Sequence, residues 1–144
     1  MIGPAHHVGI AVWRLDEAVE RYRALGLQPE IIEDVPSEGV RVAFLPAGAV
    51  KIELLESLRA DGVIARFLER RGEGLHHLAF ATDDIRRAMT RLKSEGFELV
   101  DPEPRPGAHG RLVAFVHPHS AHGVLLELVQ NPGDPPVRST AQRD

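Results

Sequence analysis

The sequence predicts an α+β fold built from two tandem βαβββ modules, on three observations: the chain repeats itself, its apolar periodicity alternates between strand and helix, and its composition is that of an ordinary folded domain. The repeat weighs most. His6-His7-Val8-Gly9-Ile10-Ala11 returns as His76-His77-Leu78-Ala79-Phe80-Ala81, an offset of 70 residues (6 to 76), and a duplicated unit constrains topology more tightly than local propensity does. At 144 residues, 43% hydrophobic and 26% charged, the chain suits one core, so one domain over 1–144 is expected.

Module one is expected over 4–58. Residues 6–12 alternate between the two faces of a strand. Leu15, Ala18, Val19 and Tyr22, at i, i+3, i+4 and i+7, mark an amphipathic helix over 15–25 that Gly26 ends. Strands are expected over 27–33, 40–45 and 50–56. Val63, Ile64, Phe67 and Leu68 mark a connecting helix within 61–71, stopped by Gly72 and expected to serve packing. Module two, 73–130, repeats the order: strand 75–81, helix 85–95 with Ile85, Ala88, Met89 and Leu92 on its face and Gly96 at its end, then strands 97–100, 111–116 and 123–129. Val42-Ala43-Phe44-Leu45 matches Val113-Ala114-Phe115-Val116 at an offset of 71, and Ile52-Glu53-Leu54 matches Leu126-Glu127-Leu128 at 74, as loop insertions would cause. The tail 131–144 is polar and proline-bearing without apolar periodicity and is expected to be poorly ordered.

Composition excludes several function classes. Lys and Arg number 17 against 21 Asp and Glu, a net charge of -4 with no basic stripe, so nucleic acid is disfavoured as a partner. The chain has no cysteine, which removes thiol nucleophiles, thiolate metal sites and disulfides and leaves His and carboxylate as metal ligands. The longest apolar runs, such as 42–50, fall short of the roughly 20 residues of a membrane span, and 1–12 lacks a basic start followed by an apolar signal core, so no membrane partner and a cytoplasmic location are expected.

Strand parity selects the candidate site. If Val8, Ile10 and Val12 cover a helix, His7, Gly9 and Ala11 share the opposite face. Leu78 and Phe80 likewise leave His77, Ala79 and Ala81 together. Glu53 and Glu127 each sit between apolar neighbours, where an unpaired charge is costly and a metal or a salt bridge is the usual resolution. Taken singly, His7 and His77 suit hydrogen-bonded core histidines, and the glutamates suit pairing with a cation such as Lys51. Duplication of both types at matched positions favours a set of two imidazoles and two carboxylates. Such a set is compatible with Co²⁺, Zn²⁺, Mn²⁺, Ni²⁺ or Fe²⁺. His6 and His76 are expected to face the packing side or solvent, and His117, His119 and His122 to lie in a turn. His109, in the loop Pro106-Gly107-Ala108-His109-Gly110, reads equally as a cover over the site or as a polar turn residue.

These segments resemble the vicinal oxygen chelate superfamily over the whole repeat region. Within it they are most similar to the methylmalonyl-CoA epimerases, on residues 6–12, 51–56, 72–77, 106–110 and 123–130. The resemblance implies that the modules pair edge to edge into one curved mixed β-sheet around a metal. It also implies His7, Glu53, His77 and Glu127 as ligands, with Co²⁺ foremost, an acyl-CoA thioester as substrate and a homodimer. A branch of that family places a glutamate base where this chain has Val42. The implied chemistry interconverts (R)- and (S)-methylmalonyl-CoA by α-proton abstraction through an enolate. Glu53 and Glu127 would be the catalytic acid/base pair, with His109 contacting substrate. A glyoxalase I-like lyase would use the same four ligands, and a ligand-sequestering protein of this fold would not need the carboxylate pair.

Overall fold

The computed structural model describes residues 2–133, so most of the 131–144 tail lies outside the described residues. The first half contains β1 (Ala5–Ala11), α1 (Leu15–Arg23), β2 (Ile31–Val35), β3 (Val40–Ala47) and β4 (Val50–Ser57). After α2 (Val63–Arg71) come β5 (Gly74–Ala81), α3 (Ile85–Ser94), β6 (Arg105–Pro106), β7 (Leu112–Val116) and β8 (Leu126–Gln130). All eight strands form one curled mixed sheet in the order β2-β3-β4-β1-β5-β8-β7-β6. The halves meet through the antiparallel β1–β5 pair, while β1 runs parallel to β4 and β5 parallel to β8. The α+β class and the edge-to-edge pairing are as expected. Among the described residues no helix is long and apolar enough to cross a membrane.

Two equivalent layers hold the helices to the outer face. Leu15 and Val19 of α1 pack with Ala43, Leu45 and Leu54, and Ile85, Ala88, Met89 and Leu92 of α3 pack with Ala114, Val116 and Leu128. The same strand position caps each helix. The Leu15 N–H donates to Glu56 Oε1 at 2.9 Å, and the Ile85 N–H donates to Gln130 Oε1 at 2.8 Å, satisfying donors that a helix start leaves free. Gly26 and Gly96 follow α1 and α3 at φ of 97° and 91°, the left-handed region that glycine enters without a Cβ penalty. Among the described residues the connecting helix α2 has no counterpart: Ile64 and Leu68 pack on Ala11, Val42 and Leu55 from the inner face, closing one end of the curl.

Three of the departures from expectation have local causes. β2 begins at Ile31 rather than 27, because Pro29 lies in the approach and offers no ladder donor. Residues 97–100 supply only a bridge from Leu99 to Val116, and the edge strand beyond β7 is the two-residue β6, in a stretch where Pro102, Pro104 and Pro106 remove donors. β8 starts at Leu126 because a 3-10 turn at Pro118–Ala121 and left-handed His122 and Gly123 precede it. Leu54, with no exposed surface, sits where α1 meets the sheet, and Leu54→Ala should lower the unfolding free energy by about 2–5 kcal/mol. Urea denaturation measures it, and a loss under about 1 kcal/mol would mean that this layer repacks freely.

Candidate metal centre

The β1–β5 register builds the site. His7 lies opposite Ala79 and Gly9 opposite His77, while Glu53 on β4 is level with Gly9 and Glu127 on β8 is level with Ala79. Each imidazole therefore has a small residue beside it and a carboxylate one strand further out. Gly9 is required sterically: a Cβ there would overlap the His77 ring. The pairing shifts register on both sides of the His7–Gly9 stretch, as bulges do where a sheet is re-aimed. Phe44 and Phe115, level with Glu53 and Glu127, meet His7 and His77 edge to face at 5.6 and 5.7 Å between centroids.

All four side chains are buried, His7 2%, Glu53 6%, His77 5% and Glu127 7% exposed, and their tips converge. His7 Nε2 lies 3.1 Å from His77 Nε2, 2.9 Å from Glu127 Oε1 and 3.5 Å from Glu53 Oε1. His77 Nε2 lies 3.2 Å from Glu53 Oε1 and 3.8 Å from Glu127 Oε1. Neighbouring donors on an ion with bonds of roughly 2.1 Å are themselves roughly 3.0–3.4 Å apart, so these separations fit one metal ion. His7, His77 and Glu127 lie mutually within 4.8 Å, and Glu53 reaches both imidazoles from outside that trio.

The second ring nitrogens complete the fit. His7 Nδ1 is 2.7 Å from His6 Nδ1, and His77 Nδ1 is 3.0 Å from His76 Nδ1. Burial, then the charges of His7 and Arg111, pushes His6 down to about 4; burial and His77 push His76 down to about 4. Both are neutral near pH 7 and can accept a proton. With an ion bound and His7 and His77 donating through Nδ1–H, each Nε2 lone pair would be free to face the ion, the outer-shell arrangement common at metal-bound histidines. Expectation had placed His6 and His76 on the packing side or in solvent. They instead stand within hydrogen-bond distance of the Nδ1 atoms of the inward pair, which strand parity alone does not reveal.

The electrostatics point the same way. Burial acts to raise the Glu53 carboxyl, but the His7 charge and the His77 hydrogen bond outweigh it and hold it below the usual range. Burial acts to lower His77, but its hydrogen bond to Glu53 and the charge of Glu127 prevail and raise it. The negative field that retains a proton on His77 also favours a dication at the same point.

The cluster forms the floor of a cavity of about 330 Å³ whose walls include Val35, Val42, Leu55 and Val129. Val42 is a buried wall residue, 1% exposed. Polar groups that the sequence reading missed also line it. Burial pushes the Glu38 carboxyl up to about 7 despite Arg105 Nε at 3.4 Å, and Arg111 stands against Phe44. None has a partner in the repeat, the signal that found the other four. Gly107 and Ala108 line the cavity, whereas the His109 side chain is exposed and not among the lining residues. His117, His119 and His122 lie at the expected turn, where His119 pairs with Glu98 at 2.7 Å.

Removing an Nδ1 partner should loosen the ion without removing a ligand. His76→Ala should weaken divalent-ion binding roughly 10- to 100-fold in a calorimetric titration, the usual cost of losing an outer-shell partner. Gly9→Ala should weaken it further by displacing the His77 ring. Parent-like affinity in both variants would contradict this geometry.

The profile of the Glyoxalase/Bleomycin resistance protein/Dioxygenase superfamily matches residues 6–115. The ethylmalonyl-CoA/methylmalonyl-CoA epimerase of Cereibacter sphaeroides is 42% identical over 133 residues, covering 90% of this chain and 99% of that protein. The mitochondrial methylmalonyl-CoA epimerase of Homo sapiens is 39% identical over 131 residues, 90% of this chain and 74% of that protein. A solved methylmalonyl-CoA epimerase in complex with methylmalonyl-CoA and NH4+ superposes with a TM-score of 0.89 at 35% identity, covering 95% of this chain and all of that one.

Proposed function

The chain belongs to the Glyoxalase/Bleomycin resistance protein/Dioxygenase superfamily, and we propose that within it the protein is a divalent-metal-dependent epimerase that interconverts (R)- and (S)-methylmalonyl-CoA. The observation that carries this reading is the buried cluster of two imidazoles and two carboxylates at the floor of an apolar cavity. Similarity to named epimerases along most of the chain supports the substrate class, an acyl-CoA thioester.

His7, Glu53, His77 and Glu127 would hold the ion, with Co²⁺ foremost among Co²⁺, Zn²⁺, Mn²⁺, Ni²⁺ and Fe²⁺. When bound, the ion supplies positive charge beside the oxygen on which negative charge develops as the thioester becomes an enolate. Inversion also needs a proton acceptor on one face of the α-carbon and a donor on the other. Glu127 leans toward His7, at 2.9 against 3.8 Å, and Glu53 toward His77, at 3.2 against 3.5 Å, so the two carboxylates flank the imidazole pair unequally. One takes the α-proton and the other returns one to the opposite face. The apolar walls exclude water from the carbanion-like carbon. A homodimer in the cytoplasm completes the reading, with sedimentation as the check on its assembly.

Ion-loaded protein should racemise (S)-methylmalonyl-CoA, lose that activity on chelation and regain it with Co²⁺. Failure of freshly loaded protein to racemise it would overturn the assignment. Glu53→Gln and Glu127→Gln should each cut epimerisation on the order of 10²- to 10⁴-fold. Solvent-deuterium exchange at the α-carbon should survive from one stereoisomer, and a different one in each variant. Full epimerase activity in Glu53→Gln, with parental metal content, would leave Glu53 a ligand only.

A further inference from the structure

Ion binding and proton transfer leave one buried charge in the cavity wall unused. Arg111 is 5% exposed, and its guanidinium lies over the Phe44 ring, 4.8 Å from the centroid. Phe44 in turn meets the His7 ring, so the guanidinium stands one aromatic residue away from the metal-ligand cluster. Its Nε donates to Asn131 Oδ1 at 3.0 Å, which fixes the plane of the fork. Its Nη1 is sealed from solvent and makes no hydrogen bond among the described residues.

A buried guanidinium is a permanent cation, and a buried donor without a partner costs about 1–3 kcal/mol. No carboxylate closes on Arg111 as an ion pair among the described residues. The nearby acids that favour its charge are Glu53 and Glu127, then Glu30 and Glu33. Glu30 is already bonded to Lys51 at 2.7 Å. Once Glu53 and Glu127 are committed to a dication, they no longer offset the guanidinium, and an anion entering the cavity would. Arg105, the other cation in the lining, also has a buried Nε without a hydrogen bond among the described residues, but it stands 3.4 Å from both Glu38 and Asp101 as ion pairs and its side chain is 40% exposed, so its charge has carboxylates beside it.

We propose that Arg111 anchors the free carboxylate of a 2-carboxyacyl thioester through charged hydrogen bonds from its guanidinium, and so sets the preference for substrates that carry one. This rests on the epimerase reading. The planar fork of an arginine matches a carboxylate, and the small, largely apolar chamber suits a short acyl group rather than a nucleotide phosphate. A carboxylate held in this way stays in place while the α-carbon loses its proton on one face and regains one on the other. Phe44 and Asn131 position the anchor.

Competitive inhibition by malonyl-CoA, which carries the carboxylate, and propionyl-CoA, which lacks it, tests the proposal on ion-loaded parent, Arg111→Gln and Arg111→Lys proteins of equal metal content. The preference of the parent for malonyl-CoA should fall roughly 10- to 100-fold in Arg111→Gln, the cost of a lost charged hydrogen bond, with propionyl-CoA binding held within about twofold. Arg111→Lys should recover part of it. An unchanged preference, or equal weakening of both inhibitors, would overturn the anchor while leaving an active parent as an epimerase. A parent that does not epimerise methylmalonyl-CoA would remove the reading beneath it. Should Arg111→Gln fail to fold, the Arg111 Nε–H resonance of the parent decides: a shift with malonyl-CoA and none with propionyl-CoA supports the proposal, and no shift with either overturns it.

Discussion

Two glutamates and two histidines are buried tip to tip at the seam between the modules, and a carboxylate pair in such a place must be compensated. Much of the local structure serves that requirement. The antiparallel seam sets Gly9 beside His77 and Ala79 beside His7, leaving room for both rings, while the outer strands deliver one carboxylate from each side. His6 and His76 then turn the inward rings so that both Nε2 atoms meet the acids. The outer helices hold the curl from behind through equivalent apolar layers.

The two-fold relation holds approximately at the floor and is broken at the walls. Ligand positions, flanking phenylalanines and helix caps all have counterparts across the seam. Among the described residues the connecting helix closes the cavity on the first module only, and Glu38, Arg105 and Arg111 have no mirrored equivalents. A symmetric floor suits a metal ion and a pair of proton-transfer groups. An asymmetric wall suits a substrate whose two ends differ, a thioester on one side and a carboxylate on the other.

The repeated features were legible from residues alone. Duplication of His7 and His77 and of Glu53 and Glu127 at matched parity located the floor, and the i, i+3, i+4, i+7 rows located both long helices. What depends on three-dimensional closure was not. Arg111 reaches the cavity only because β7 runs beside β8 and folds its side chain over Phe44 from the other module, a contact between residues 67 positions apart (44 to 111) that no periodicity encodes. The expected strand over 97–100 failed for a local reason: prolines just beyond it left a single bridge at Leu99. His109, which read equally as a cover over the site or as a polar turn residue, is exposed at a φ of 62°, and the cavity is lined by Gly107 and Ala108 instead.

The central claim is that side chains from both modules close on one divalent ion, and the most direct test is a crystal structure of Co²⁺-loaded protein with anomalous diffraction collected at the cobalt edge. The account predicts a single strong anomalous peak per chain, with His7 Nε2, His77 Nε2 and oxygens of Glu53 and Glu127 at roughly 2.0–2.3 Å from it. A peak elsewhere, or one bound by residues of a single module, would contradict it.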